Sequence, residues 1–387
     1  MKFSAKLPVF LEAASKAKRA VGSKDLNEIM RSMLVDARED GTVVLAGTNT
    51  SETVVVEIEA DVHTPGASAL MGDDLYALIS RFPKGESRDI NFELDHKGWC
   101  NIQCGKIKSR VAGLDPEMYP KIHDGYESDA KFKVTCETIT RLFGKTIFCI
   151  DKKDTRVQLT GVYFQLDEEN ERILATTTDG HRLALCYAEH EFLFDVTPEA
   201  REWIKEGVII PGNVVQDMLS FISGYDPETV INFSRFRTSG ITLQHDKWRM
   251  TSMLIDAKYP NLLDVLPKEW KRKLQFDRGQ FLEAVRLVSL FAEDKSNKCR
   301  LHISGSKVLL EATDKGRGEV EQELDIMEGE HTGDEVVMGY QVHYLKDALS
   351  NVDGASIELR YIDNTMPSLI QDTDDLMLQM IVMPMRV

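Results

Sequence analysis

A chain of 387 residues and 43.8 kDa exceeds what one hydrophobic core usually organises, so two or three domains are expected. Its 42% hydrophobic and 28% charged residues are those of an ordinary globular chain, which excludes disordered, collagen-like and coiled-coil architectures. A formal charge of −16 discourages indiscriminate adhesion to nucleic acid, so any contact with DNA has to be local.

No stretch reaches the roughly 20 apolar residues that span a bilayer, and Met1-Lys2-Phe3-Ser4-Ala5-Lys6 lacks the apolar run of a signal peptide, so a cytoplasmic location is expected. Six cysteines, Cys100, Cys104, Cys136, Cys149, Cys186 and Cys299, are too sparse for a disulfide scaffold and are expected to be reduced and structural.

One pattern recurs three times along the chain. Each copy opens on an apolar residue followed by a helix-capping residue, Phe3-Ser4, Val134-Thr135 and Phe276-Asp277, with helical spacing after it. Midway, Ala69-Leu70-Met71-Gly72, Ile209-Ile210-Pro211-Gly212 and Val337-Met338-Gly339 read as short strands ending in glycine. A second helix follows each, with apolar stripes such as Leu75, Leu78 and Ile79. Between the helices, alternation as in Thr53–Ile58, Ile231-Asn232-Phe233 and Ile357-Glu358-Leu359 predicts antiparallel strands. The first two copies end alike, on Tyr119-Pro120 and Tyr259-Pro260. The predicted fold is α+β, three tandem units of two helices plus antiparallel sheets, with domains at 1–127, 128–268 and 269–387.

Catalytic and metal chemistry lack their residue sets. The pair Asp179 and His181 in Asp179-Gly180-His181-Arg182 reads as a structural Asp-Gly turn, and no nucleophile elbow, P-loop or H-E-x-x-H motif occurs. Cys100 and Cys104 are expected on a strand, because no second Cys or His pair stands at zinc-site spacing; His96 and His123 are isolated. No catalytic residue, metal or cofactor is assigned. The six predicted helices together carry +3 in a chain of −16, which suits sequence-independent phosphate contact if they share a face. The last ten residues, Leu378 to Val387, stay apolar almost to the end; Leu378, Met380 and Val382 alternate as a strand, and Met383 and Met385 suit an adaptable peptide groove.

The strings Thr178-Asp179-Gly180-His181-Arg182-Leu183-Ala184 and Val382-Met383-Pro384-Met385-Arg386-Val387, with the Met1-Lys2-Phe3 start and the triplication, resemble the bacterial DNA polymerase III beta subunit, the replicative sliding clamp, over the whole chain. The resemblance implies three DNA-clamp domains that close into a ring on head-to-tail homodimerisation. It implies a non-catalytic processivity factor that encircles duplex DNA, is opened by a clamp loader, and tethers the DNA polymerase III catalytic subunit and other clamp-binding-motif proteins, without membrane contact. A clamp-fold oligomeric docking scaffold that does not load on DNA is the alternative. Carried over by motif, Arg156, Leu159, Thr178, Gly180, His181, Arg182 and Leu183 form one wall of a peptide groove. Pro260, Val265 and Leu266 adjoin it, and Val382, Met383, Pro384, Met385 and Arg386 close it, with His181 and Arg182 as polar anchors. Lys24, Arg81, Arg141, Lys145 and Lys298 are the implied DNA-facing residues; Val111, on the edge strand from Lys108 to Gly113, meets Leu290 and Phe291 of a second copy. The family pattern is departed from at Asp264, which bears on partner preference, and at Pro211-Gly212-Asn213, which bears on DNA contact from the second domain.

Overall fold

In a computed structural model, the chain is described at residues 1–22, 27–83, 85, 88–122, 128–189, 191, 193–261, 266–267, 269–293 and 296–387. Lys24, His123, Asp264 and Val265 lie outside the described residues. The chain forms two compact units, Met1–Cys136 with Leu193–Trp203 and Ser220–Leu254, and Glu137–Phe192 with Ile204–Leu219 and Ile255–Val387. They are called unit 1 and unit 2 below.

Among the described residues, unit 1 is organised on one antiparallel sheet of 14 strands. Its first core is aromatic: Phe3 stacks on Phe92 at 4.8 Å between ring centroids, and Phe10 packs on Phe92 at 4.6 Å. Helix Leu7–Arg19 reaches this core through Leu7, Phe10, Ala13, Ala14 and Ala17, the three- and four-residue spacing of a single buried stripe. Strand Trp99–Cys104 alternates strictly, with Cys100, Ile102 and Cys104 inside. The expected strand position of both thiols therefore holds, and burial pushes the Cys100 thiol up to about 12.

Among its described residues, unit 2 contains a sheet of nine strands and one of four. In the nine-stranded sheet, Leu183 to Ala188 of strand Arg182–Glu189 are all buried, as a strand covered on both faces requires. Helix Arg278–Val288 starts where predicted: Asp277 accepts from the Gln280 N–H at 2.7 Å, and Phe281, Leu282, Ala284, Val285 and Val288 are buried. All six cysteines are free and buried.

Three details correct the sequence reading. Ser4 does not cap the first helix; it lies within strand Lys2–Lys6, and the helix begins at Leu7 with Pro8 in its first turn, where the missing proline N–H costs nothing. The helix expected after Thr135 is a short turn, Cys136–Ile139, widening into a π-type turn over Thr140–Gly144. Gly339 does not end a strand before the third second-helix: strand Val336–Gln341 runs past it and helix Val342–Asn351 starts at a valine. A Cβ on Gly339 would come 2.8 Å from the Met385 carbonyl oxygen, so this glycine admits the carboxyl-terminal segment rather than a helix start. By contrast Gly72 and Gly212 do open their helices. At Gly212 a Cβ would meet Ile150 Cδ1 at 2.2 Å and the Thr160 carbonyl oxygen at 2.9 Å, so packing accounts for that residue in Pro211-Gly212-Asn213.

Candidate functional site

The described residues of the predicted groove lie in unit 2 around a seam between two sheet halves. Strand Leu378–Val382 is inserted between Arg182–Glu189 and Ser368–Asp372, with Val382 opposite both Arg182 and Ser368. The carboxyl-terminal strand therefore pairs beyond its own repeat, which the alternation of Leu378, Met380 and Val382 could not announce.

Turn Asp179-Gly180-His181 opens the seam. Asp179 Oδ1 accepts from the N–H groups of His181 and Arg182, both at 2.9 Å, Thr178 Oγ1 donates to the Arg182 carbonyl at 2.6 Å, and Gly180 takes φ +87°. Asp179 is thus spent on the turn, as the structural reading of the motif expected. The chain past the last strand is fastened in two places: Met383 N–H donates to the His181 carbonyl at 2.9 Å and Met385 N–H to the Gly339 carbonyl at 2.7 Å. Met383, Pro384 and Met385 are half-buried, and Arg386 is exposed.

Arg156 sits over Gly180, its Nη2 2.9 Å from where a Cβ would stand, and forks onto Asp154 at 3.0 and 2.7 Å. Those side-chain hydrogen bonds, with one from the Arg156 backbone, hold the Asp154 carboxyl at about 2. Leu159 is buried with Ile209 and Tyr259. Leu183 packs with Leu174, Leu185, Tyr187, Leu369 and Ile381, and Leu266 lies against this cluster. Pro260 is exposed at the mouth of a cavity of about 620 Å³ lined by Tyr163, Leu174, Leu185, Tyr187 and Tyr259 among others. Within it Tyr163 stacks on Tyr259 at 4.8 Å, and Arg172 lies 4.0 Å over the Tyr187 ring. Of the predicted groove residues that are described, only Pro260 lines this cavity.

Arg182 is expected as a polar anchor for a ligand; its guanidinium is turned inward and donates to Asp179 at 3.0 Å, to Asp347 at 2.6 Å and to the Phe148 carbonyl at 2.9 Å. Its charge also lies 4.5 Å over the Tyr344 ring. With 11% of the side chain exposed, it fastens the wall rather than meeting solvent. His181 stays exposed, 6.5 Å from Tyr344 between ring centroids. Tyr344 and Asp347, on helix Val342–Asn351, are the residues the sequence reading missed; an aromatic beside an acid three residues on carried no motif that could have flagged them.

The residues proposed for DNA are largely engaged. Arg141 donates from one nitrogen to both carboxylate oxygens of Asp375 at 2.7 and 2.8 Å, and Lys145 reaches Asp353 at 2.5 Å and the Asn351 carbonyl at 2.8 Å. Lys298 donates to the Arg386 carbonyl at 3.0 Å, and Arg81 is exposed and bonds its own helix at Ala77. Leu290 is 62% exposed, and Phe291 and Val111 are half-buried. Among the described residues no group of three or more His, Cys, Asp or Glu is placed to hold a metal ion, and no helix is long and apolar enough to cross a membrane.

Three family models match in tandem: the N-terminal domain of the DNA polymerase III beta subunit at residues 1–123, the central domain at 133–261 and the C-terminal domain at 263–386. The chain is 24% identical over 395 residues to the beta sliding clamp of Staphylococcus aureus (strain Mu50), covering 100% of this chain and 99% of that one. Its fold resembles the DNA polymerase III subunit beta sliding clamp of Bartonella birtlesii bound to griselimycin (TM-score 0.90, 23% identity, 100% of both chains). It also resembles the DNA polymerase sliding clamp of Bacillus subtilis (TM-score 0.87, 21% identity, 100% of this chain and 99% of that one). The mixed helices and antiparallel sheets are those of three clamp domains, and the chain belongs to the DNA polymerase III beta subunit family.

Proposed function

We propose that this protein is a replicative sliding clamp: a cytoplasmic, non-catalytic factor that closes around duplex DNA as a head-to-tail homodimer. In this reading it tethers the DNA polymerase III catalytic subunit and other clamp-binding-motif proteins, after opening by a clamp loader. One observation carries it. The turn at Asp179 is followed by a strand that pairs with the end of the next repeat, and another turn of the same kind stands at Asp314, whose Oδ1 accepts from Gly316 N–H at 2.7 Å and Arg317 N–H at 3.0 Å. The strand after it, Gly318–Leu324, pairs only with Lys307–Asp314 among the described residues and is an open sheet edge. Among the described residues, strand Ile107–Leu114 is likewise unpaired on one side except at Gly113 and Leu114.

An open edge at each end of a tandem array is what a heterologous interface needs, and it must close after a fixed number of copies or run into filaments. Strand addition between Ile107–Leu114 of one copy and Gly318–Leu324 of another supplies the backbone bonds, with Val111, Leu290 and Phe291 as apolar neighbours; Phe291 Cε1 lies 3.5 Å from a Cβ placed on Gly318. The domains proposed are 1–127, 128–268 and 269–387. The groove proposed for partner peptides is the unit 2 seam, with Leu159, Leu183 and the tail methionines as apolar walls and His181 as its exposed polar group. DNA contact is expected to be weak and sequence-independent, as sliding requires.

A second reading, a docking scaffold of the same fold that is not loaded on DNA, draws on the carboxylates that hold Arg141 and Lys145. Retention on circular DNA, with release on linearisation in the presence of a bacterial clamp loader, is the expected result. Equal loss from circular and linear DNA sinks the encircling function.

A further inference from the structure

The unit 2 cavity has a floor built by strand register. Strands Gly161–Asp167, Arg172–Thr178 and Arg182–Glu189 are neighbours, the middle one setting Thr176 between Tyr163 and Leu185, and Leu174 between Gln165 and Tyr187. Residues two apart on a strand share a face, so Tyr163, Thr176 and Leu185 form one row of that face and Gln165, Leu174 and Tyr187 the next. All six line the cavity of about 620 Å³. The row before them sets Thr178 opposite Leu183, two of the predicted groove residues. Groove and cavity are therefore successive rows of one sheet face, about 7 Å apart by the rise of two residues. Packing joins them as well: Leu183 shares a buried cluster with Leu174, Leu185 and Tyr187, and Leu159 shares one with Tyr259, against which Tyr163 lies.

Two features of the cavity point to a ligand, and its volume is in the range of ligand sites. Its walls are aromatic. Tyr163 and Tyr259 stack with 7° between their planes, and Tyr259 Oη donates to the Thr176 carbonyl at 3.3 Å, which fixes the pair over the first row. The second feature is polar: Thr176 is 3% exposed, and its Oγ1 has no hydrogen-bond partner among the described residues. A buried hydroxyl left unpaired is costly, so a ligand that supplies its partner gains what the empty site forgoes. We propose that this cavity is a second subsite of the peptide groove and receives a tyrosine side chain of the docked partner, its ring among Tyr163, Tyr187 and Tyr259 and its hydroxyl on Thr176 Oγ1. The proposal rests on the peptide-groove reading of unit 2. A phenol hydroxyl can accept from Thr176 or donate to it, whereas an indole N–H can only donate and a phenylalanine ring does neither. One to two rows, about 7–14 Å, place that tyrosine two to four extended residues from the peptide residue seated at Leu183.

The test uses the full chain with methyl-labelled leucine and methionine, because Leu174 and Leu185 line the cavity whereas Met383 and Met385 report on the tail. N-acetyl-tyrosinamide is expected to shift the Leu174 and Leu185 methyl resonances saturably, half-complete at about 1 mM, and to leave Met383 and Met385 in place. N-acetyl-phenylalaninamide is expected to bind about tenfold more weakly, and Thr176→Val, which keeps the buried shape without the hydroxyl, to make the two amides equal. A polymerase-derived peptide carrying a tyrosine two to four residues from its apolar anchor, tried on either side, is expected to bind about tenfold more tightly at one placement than with alanine there. Removing residues 383–387 is expected to leave the tyrosinamide shifts intact, so a failure of the groove and a failure of the cavity are read separately. Silence at Leu174 and Leu185 up to about 10 mM tyrosinamide overturns the proposal, as does equal affinity for the two amides in the unaltered chain. So does the absence of any gain from tyrosine at every placement, since the cavity would then not extend the groove.

Discussion

Unit 1 has a seam of its own, where strand Trp248–Met253 pairs with Glu52–Glu59 beside a turn in which Asn49 Oδ1 accepts from the Ser51 and Glu52 N–H groups; it shares a backbone plan with the unit 2 seam and differs in what fills it. In unit 2 the position after the turn is Arg182, locked by Asp179 and Asp347; in unit 1 the same position is Glu52, whose side chain is also buried. The tightest turn residue is Gly180 in unit 2 and Thr50 in unit 1, at nearly the same left-handed φ. The strand that completes the seam is mid-chain in unit 1 and the last strand of the molecule in unit 2, so only the unit 2 seam ends in a short run of half-buried methionines held by two backbone hydrogen bonds. Hydrogen bonding thus fixes the shape of both seams, while side-chain charge and chain position set their chemistry.

Removing residues 383–387 breaks the comparison most severely. It deletes the Met383 and Met385 bonds but leaves the pairing of Leu378–Val382 intact, so polymerase-derived peptide affinity is expected to fall about 100-fold or more while far-UV circular dichroism stays unchanged. Undiminished binding by fluorescence anisotropy would move the groove elsewhere. Next comes the edge left open at Gly318–Leu324, beside which Phe291→Asp places a charge on half-buried apolar surface; sedimentation velocity is expected to show monomers, and a persistent dimer would refute the interface.

Exchanging the turn residues sharpens the contrast in stability. Gly180→Thr is expected to cost about 1–3 kcal/mol in urea unfolding, because Gly180 sits at φ +87° and its new Cβ would crowd Arg156 Nη2. Thr50→Gly relieves the same strain but frees the unfolded chain, so its net effect is expected within about 1 kcal/mol of zero. Equal losses from both would mean that the threonine is not strained.

The smallest effect is one of pH. Asp154 falls from its ordinary 3.8 to about 2 in the folded protein, chiefly through hydrogen bonds from Arg156. A depressed carboxyl contributes stability that is complete above its unfolded value and is lost as pH falls from about 4 towards 2. Arg156→Ala is expected to return the Asp154 titration, followed by carboxyl-carbon NMR, to the ordinary range; an unmoved midpoint would mean that another group holds it.

Much of this was legible in the sequence because it is local. Alternation placed the strands at Thr53–Ile58, Ile231–Phe233 and Ile357–Leu359, and the Asp277 cap and the Asp-Gly turn at Asp179 rest on contacts two to three residues apart. What was misread depends on remote partners. Gly339 looked like a helix boundary until Met385 came to lie against it, and the ion pair of Arg182 with Asp347, 165 residues away, has no local signal. Ser4 looked like a cap because a serine before an apolar run satisfies the local rule whether or not a strand claims it.

The sequence by itself determined the triplication, the capped and alternating elements and the apolar tail, since periodicity and turn chemistry are properties of neighbouring residues. Tertiary structure alone decided that the tail strand pairs with Arg182–Glu189, that Trp248–Met253 repeats the arrangement with Glu52–Glu59, and which cations are neutralised. Strand partners some 200 residues apart are chosen by edge geometry and by the burial of both faces, quantities that exist only once the chain has folded.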